Sequence, residues 1–145
     1  MKTAAAVIIC ALVGYFLGCL NPAFLLARKR GFDIRERGSG NAGASNALIT
    51  MSKKAGVLIA LFDIFKAFAA VKISAALFPL PDYCGILSGC CCIAGHIFPV
   101  FMKFRGGKGL AALGGVILAF NPAVFLIMLL SEAAIALITD YICFV

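Results

Sequence analysis

A chain of 145 residues that is 63% hydrophobic and 13% charged, with a mean hydropathy of +1.09, is not a soluble domain, which would be ~45–50% apolar and ~25% charged. The composition is that of an all-α integral membrane protein, with a single membrane domain over residues 1–145. The net charge of +7 does not call for nucleic acid, because positive loops are what a membrane protein keeps on its cytoplasmic side.

In chain order, the first apolar run covers residues 4–27. It outlasts the ~7–15-residue core of a signal peptide. Phe16-Leu17-Gly18-Cys19 is a weak lipoprotein-type cleavage site, and the chain stays apolar beyond it. A retained spanning helix of about 20 residues or more is expected, kinked at Asn21-Pro22. Residues 28–54 form a loop with seven Lys or Arg against Asp33 and Glu36, with a short helix expected over 47–51. The second span, 55–78, contains Asp63, Lys66 and Lys72. Asp63 and Lys66 share a helix face and are expected to pair toward the bundle interior, as a structural or site-supporting ion pair. Pro79-Leu80-Pro81-Asp82 reads as a tight turn, and a third span, 83–102, holds the only histidine, His96. Lys103-Phe104-Arg105-Gly106-Gly107-Lys108-Gly109 is a second basic, glycine-rich loop. A short apolar helix, 110–120, stops at Asn121-Pro122. A fifth apolar run, 123–138, is expected to be interrupted at Ser131-Glu132 and to end in Thr139-Asp140-Tyr141. With the N-terminus outside, both basic loops fall on the cytoplasmic face.

The seven cysteines (Cys10, Cys19, Cys84, Cys90, Cys91, Cys92 and Cys143) lie in or beside apolar runs without CxxC spacing. They read as small buried hydrophobes, and no metal or cofactor is expected.

Gly38-Ser39-Gly40-Asn41-Ala42-Gly43-Ala44-Ser45-Asn46 is the longest small and polar stretch in the chain. Arg28, Lys29, Arg30, Arg35 and Arg37 precede it, and Lys53 and Lys54 follow it. Exposed amides inside a cationic collar suit a phosphate. The same residues also suit an ordinary loop that fixes membrane orientation. Gly38-x-Gly40-x-x-Gly43 matches the dinucleotide fingerprint in form only, since no strand precedes it. Arg105 to Gly109 has the chemistry of a phosphate loop without the Walker A pattern, and opens into a helix N-terminus where an anion is favoured. His96 has no neighbouring carboxylate in sequence and there is no GxSxG elbow, so nothing supports a serine hydrolase.

Together these residues resemble the bacterial acyl-phosphate:glycerol-3-phosphate acyltransferase family, in a truncated form of its seven-helix fold with about five apolar helical segments. Gly38 to Asn46 resembles the motif GSGNxGATN, with Ser45 for Thr. Asp63-x-x-Lys66 resembles DxxKG, with Ala67 for Gly. Gly95-His96-Ile97-Phe98-Pro99, with Phe104 to Gly109, resembles GHxFPxFxxFKGGKG. Ile49 stands where the family has an arginine, and the chain stops at Val145, before the family's third polar motif. The resemblance implies acyl transfer from acyl phosphate to the sn-1 hydroxyl of glycerol 3-phosphate, in a bacterial plasma membrane, with the site facing the cytoplasm. The lipid bilayer is the other expected partner, and no nucleic acid is. Ser39, Asn41 and Lys108 are the expected catalytic residues. Gly38, Gly40, Gly43, Asn46, His96, Gly106, Gly107 and Gly109 are expected to bind substrate. A catalytically impaired remnant of such an enzyme, and a small transporter subunit using Asp63, Lys66 and His96, are the alternatives.

Overall fold

The computed structural model describes residues 2–78 and 83–139. The expected turn at Pro79 to Asp82, the Asp140-Tyr141 pair and Cys143 lie outside them. Among the described residues the chain is helical throughout, with no strand.

Helix α1 (Lys2–Cys19) is followed by a break and then α2 (Pro22–Lys29). The expected kink is therefore a full interruption. Pro22 has no N–H to offer the Gly18 carbonyl four residues back. Asn21 caps the new helix, its side-chain oxygen accepting from Phe24 N at 2.8 Å. Helix α3 (Ala44–Thr50) lies inside the first basic loop, starting three residues earlier than expected. Helix α4 (Lys53–Leu77) is capped by Ser52, whose hydroxyl accepts from Ala55 N at 3.1 Å. Helix α5 (Tyr83–Ile97) leads into a 3₁₀ turn, Val100–Met102. Helix α6 (Leu110–Phe120) ends at Asn121, whose side chain caps α7 (Pro122–Thr139) by accepting from Ala123 N and Val124 N, both at 3.1 Å. The Asn-Pro pair thus performs the same act twice, closing one helix and opening the next.

Helix α7 runs through Ser131-Glu132 unbroken. The Ser131 hydroxyl donates to Met128 O at 2.8 Å, so it needs no interruption to be satisfied.

By length and composition, Thr3–Lys29 and Tyr83–Met102 are apolar enough to cross a bilayer. Helix α4 carries more charge but, at 25 residues, extends about 37 Å. Its outer side presents Leu58, Leu61, Phe65 and Leu77, which suits lipid rather than water. The Lys72 ammonium lies over the Phe68 ring, 5.7 Å from its centroid.

The helices approach closely because small residues face one another. Gly14 and Gly18 of α1 lie against the backbones of Ser88 and Cys92 on α5. This is the small-xxx-small arrangement by which helices pack in membranes. Gly115 of α6 meets the Ile64 backbone of α4 in the same way. Ala67, Ala70, Cys92 and Ala112 fill the centre. A second cluster of Ala23, Ala27, Ile34, Ala42, Ala47, Ala55, Ile59 and Met102 lies under the two basic loops and joins them to one end of the bundle. Cys10, Cys19, Cys84 and Cys92 are buried as expected, whereas Cys90 is exposed and Cys91 half-exposed. Consecutive helical positions cannot share one face.

A β-carbon on Gly18 would run into the Cys92 carbonyl, a backbone group with no rotamer to retreat into. Gly18→Val is expected to destabilise by ~3 kcal/mol or more. Gly31→Ala meets no neighbour but sits at φ +81° and is expected to cost only ~1–2 kcal/mol. Thermal unfolding of both variants in detergent checks the ranking, and equal losses would contradict the packing.

Candidate active site

The Gly38–Asn46 loop is organised from inside by Asn46, which is fully buried. Its side-chain oxygen accepts from Ser39 N at 3.0 Å. Its side-chain nitrogen faces three carbonyls, Ile34 O and Arg37 O at 2.9 Å and Asn41 O at 2.8 Å. Both functions of the amide are occupied by the loop itself. Asn46, an expected substrate ligand, therefore spends its buried side chain on shaping the loop. Gly38 and Gly40 take φ of +58° and +74°, which glycine adopts without strain. The Gly40 amide also turns inward, donating to Arg37 O at 3.1 Å. Asn21 ties the loop to the α1–α2 break by donating from its side chain to Ala42 O at 2.8 Å.

The second loop folds over His96. Gly106 N donates to Ile97 O at 3.0 Å, and Gly107 N to His96 O at 3.1 Å. These two amides are thus not the free phosphate donors expected of them. Their lack of side chains has another cause: a β-carbon on Gly107 would strike the imidazole, and one on Gly106 the His96 carbonyl. Gly109 (φ +86°) is the residue before α6, whose first amides have no partner within the helix.

His96, Asp63 and Lys66 are all buried and meet in space. Lys66 Nζ lies 2.7 Å from Asp63 Oδ1 and 3.0 Å from His96 Nδ1, and Asp63 Oδ1 is 3.5 Å from His96 Nδ1. Lys66 also donates to Gly18 O at 3.1 Å and Leu20 O at 2.6 Å. These are the carbonyls left open at the helix break. His96 Nδ1 thus faces both the Lys66 ammonium and the Asp63 carboxylate, while Nε2 lies toward the glycine loop. The expected ion pair is present. His96, an expected substrate ligand, belongs to this buried cluster and lies beneath Gly107.

Among the described residues, the side chains of Ser39, Asn41 and Lys108 make no hydrogen bond or ion pair within the chain. Ser39 and Lys108 are exposed and Asn41 half-buried. The cationic collar divides in the same way. Arg35 turns inward and is 14% exposed, whereas Arg28, Lys29, Arg30 and Arg37 stay outside. Beside them, an open apolar groove of about 370 Å³ is lined by Leu20, Pro22, Leu25, Leu26, Phe62 and Lys29. No group of residues suited to a metal occurs among the described residues.

The inward Arg35 sequence reasoning missed. It forms a two-point pair with Asp33, Nε to Oδ1 at 3.0 Å and Nη2 to Oδ2 at 2.7 Å. It also reaches the second loop, Nη1 donating to Met102 O at 2.7 Å. The available signal was Asp33-Ile34-Arg35, a carboxylate and a guanidinium two residues apart at a turn.

Two predictions follow from these charges. Lys66→Met would strand Asp63 and two carbonyls, and is expected to cost ~3–5 kcal/mol in detergent unfolding. Lys66→Met with Asp63→Asn is expected to cost less than the sum of the single changes, and strict additivity would contradict direct pairing. Hydrogen bonding from Arg35 holds the Asp33 carboxyl down from 3.8 to about 2. A depressed folded-state value contributes stability above the unfolded value and loses it as pH falls. The unfolding midpoint is therefore expected to drop as pH falls from about 4 toward about 2, and Asp33→Asn is expected to remove that component.

Comparison with known proteins places this geometry. The family model described as glycerol-3-phosphate acyltransferase matches residues 8–145. The glycerol-3-phosphate acyltransferase of Clostridioides difficile strain 630 is 40% identical over 140 residues, covering 93% of this chain and 69% of that one. That of Thermoanaerobacter pseudethanolicus is 37% identical over 136 residues, covering 93% and 68%. The crystal structure of PlsY (YgiH), an integral membrane glycerol 3-phosphate acyltransferase, in its glycerol 3-phosphate form superposes with a TM-score of 0.87 at 34% identity. It covers 94% of this chain and 68% of that one. Its lysophosphatidic acid form gives 0.81, also at 34% identity, with 90% and 65% covered. With a family match over nearly its whole length and the same helical architecture, this chain belongs to the glycerol-3-phosphate acyltransferase family.

Proposed function

We propose that this chain transfers a fatty acyl group from acyl phosphate to the sn-1 hydroxyl of glycerol 3-phosphate, giving lysophosphatidic acid and inorganic phosphate. Family membership supports the reaction. The observation that carries the site is the sorting of polar groups: Asn46, His96 and Arg35 are used to build the loops, while Ser39, Asn41 and Lys108 are left free beside exposed cations.

Acyl phosphate is already activated, so no covalent enzyme intermediate is required. The glycerol hydroxyl attacks the acyl carbonyl, the bond from that carbon to the phosphate oxygen breaks, and the departing phosphate takes the hydroxyl proton. The protein's task is to hold two anions in line, and positioning of this kind is worth up to ~7–11 kcal/mol. Lys108 neutralises phosphate charge, and Ser39 and Asn41 orient the reactants and donate to the developing oxyanion. Gly38, Gly43 and Gly109 let the loops close on themselves, since a β-carbon there would meet Asn46 and Thr50, the Asn41 side chain, and Ile93 and Ile97 respectively. The groove edged by Lys29 suits an acyl chain ending in an anionic head. The positive loops argue for a site facing the cytoplasm, and the bacterial relatives for a plasma membrane.

Asp63 and His96 both lie against Lys66, which also donates to two backbone carbonyls at the helix break, so these buried charges have a structural use that does not call for a transporter. Ile49 bears on the impaired-remnant alternative. It is 63% exposed on α3, so a basic side chain there would displace no packing.

The test is lysophosphatidate formation by the purified chain in detergent, given acyl phosphate and glycerol 3-phosphate. Lys108→Ala is expected to lower turnover by ~10²–10³-fold, and Ile49→Arg to lower the KM for glycerol 3-phosphate without loss of fold. Full activity in an Asn41→Ala/Lys108→Ala double variant would remove the site assignment. Activity appearing only with Ile49→Arg would favour the remnant.

A further inference from the structure

Lys103 and Phe104 are consecutive non-glycine residues in the left-handed region, at φ +55° and +58°. Side chains disfavour this conformation, and a pair persists only where the surroundings hold it. The turn is placed with consequence, since Arg105, Gly106, Gly107 and Lys108 follow directly. Its near side is held from within: Phe104 N donates to Pro99 O at 3.0 Å and Arg105 N to Met102 O at 3.3 Å. From outside, Arg35 of the first loop reaches across. Its Nη1 donates to Met102 O at 2.7 Å and lies 3.5 Å from Arg105 O. These carbonyls bracket the left-handed pair.

Arg35 is fixed for this reach on its other sides. Asp33 grips it at two points, and its guanidinium lies over the Phe24 ring, 4.9 Å from the centroid. Asp33 is itself oriented by accepting from Arg35 N at 3.0 Å. A lysine could place a charge here but not this fork.

We propose that Arg35 is a positioning residue of the acyl transfer: by clamping the strained Lys103-Phe104 turn onto the first loop, it sets where Lys108 stands relative to Ser39 and Asn41. The proposal rests on the acyltransferase reading for its kinetic consequence, though not for the clamp itself. Arg35 touches no substrate in this account, despite lying in the run of arginines beside the glycine loop.

The experiment pairs two measurements on the full chain in detergent, with Arg35→Lys as the mild variant and Asp33→Asn as an independent way to loosen the same fork. Hydrogen exchange followed by mass spectrometry reads the amides of residues 104–107. Both variants are expected to speed exchange there about tenfold while α7 is unchanged. Steady-state kinetics per folded molecule reads the consequence. Arg35→Lys is expected to lower kcat by up to about 10²-fold, the scale of a 1 Å misplacement, with each substrate's KM within about threefold of its starting value. A residue that merely stabilised the fold would lower the unfolding midpoint and leave kcat per folded molecule unchanged, and that result overturns the proposal. Unchanged exchange at 104–107 in both variants also overturns it. If the parent chain shows no transferase activity, the functional reading fails instead, and the exchange measurement still decides whether the clamp exists.

Discussion

Pro22 removes the N–H that the Gly18 carbonyl would accept in a continuous helix, and the Asn21 cap takes the N–H due to Leu20. The Lys66 ammonium answers both vacancies, at 3.1 Å and 2.6 Å. An isolated lysine at membrane depth costs ~2.5–3.5 kcal/mol on insertion scales, and each stranded buried carbonyl ~1–3 kcal/mol. Neither liability is tolerable alone, and each cancels the other once Asp63 neutralises the charge. Everything at this end of the bundle follows. The break lets α2 turn away and carry Phe24 to Arg35. Asn21 holds the first loop through Ala42 O. Lys66 meets the imidazole over which the second loop is folded.

Much of this was legible in the sequence, for identifiable reasons. The apolar runs set the helices, and the two Asn-Pro pairs marked real boundaries because proline's missing N–H acts locally. The i,i+3 spacing of Asp63 and Lys66 sufficed to pair them. Ser131-Glu132 misled because one polar pair looks like an interruption on paper, whereas a serine hydroxyl is satisfied by its own helix. His96 misled for the opposite reason. Its carboxylate is 33 residues away on another helix, and sequence spacing carries no information about a contact made by helix packing. The Gly14–Gly18 spacing is present in the sequence, but helix length and apolarity dominate that stretch and hide the packing face.

Within the glycine loops the sequence pattern cannot tell a builder from a binder. Asn41 and Asn46 are the same residue type five positions apart. One donates into the turn and is buried; the other has its side chain free. The difference comes from α3. As a helical residue, Asn46 is held facing back into the loop, and only there can one amide serve four backbone groups. Gly107 makes the same point for glycine. Its motif suggests a ligand above the backbone, but the nearer reason for a missing side chain is the imidazole beneath it.

This division bears on catalysis. A loop that satisfied its own polar groups with Ser39, Asn41 and Lys108 would have to break those bonds when substrate arrived, and the reorganisation would be charged against the barrier. Here internal bonding is assigned to residues that never need to move, and the remaining donors stand unpaired. Preorganised groups of this kind stabilise developing charge without rearranging at the moment of reaction. Their exposure alone would not secure that advantage, since a free lysine on a mobile loop is no better than one in solution. What secures it is the rigidity beneath: an asparagine closing one loop, a histidine under the other, and an arginine spanning both.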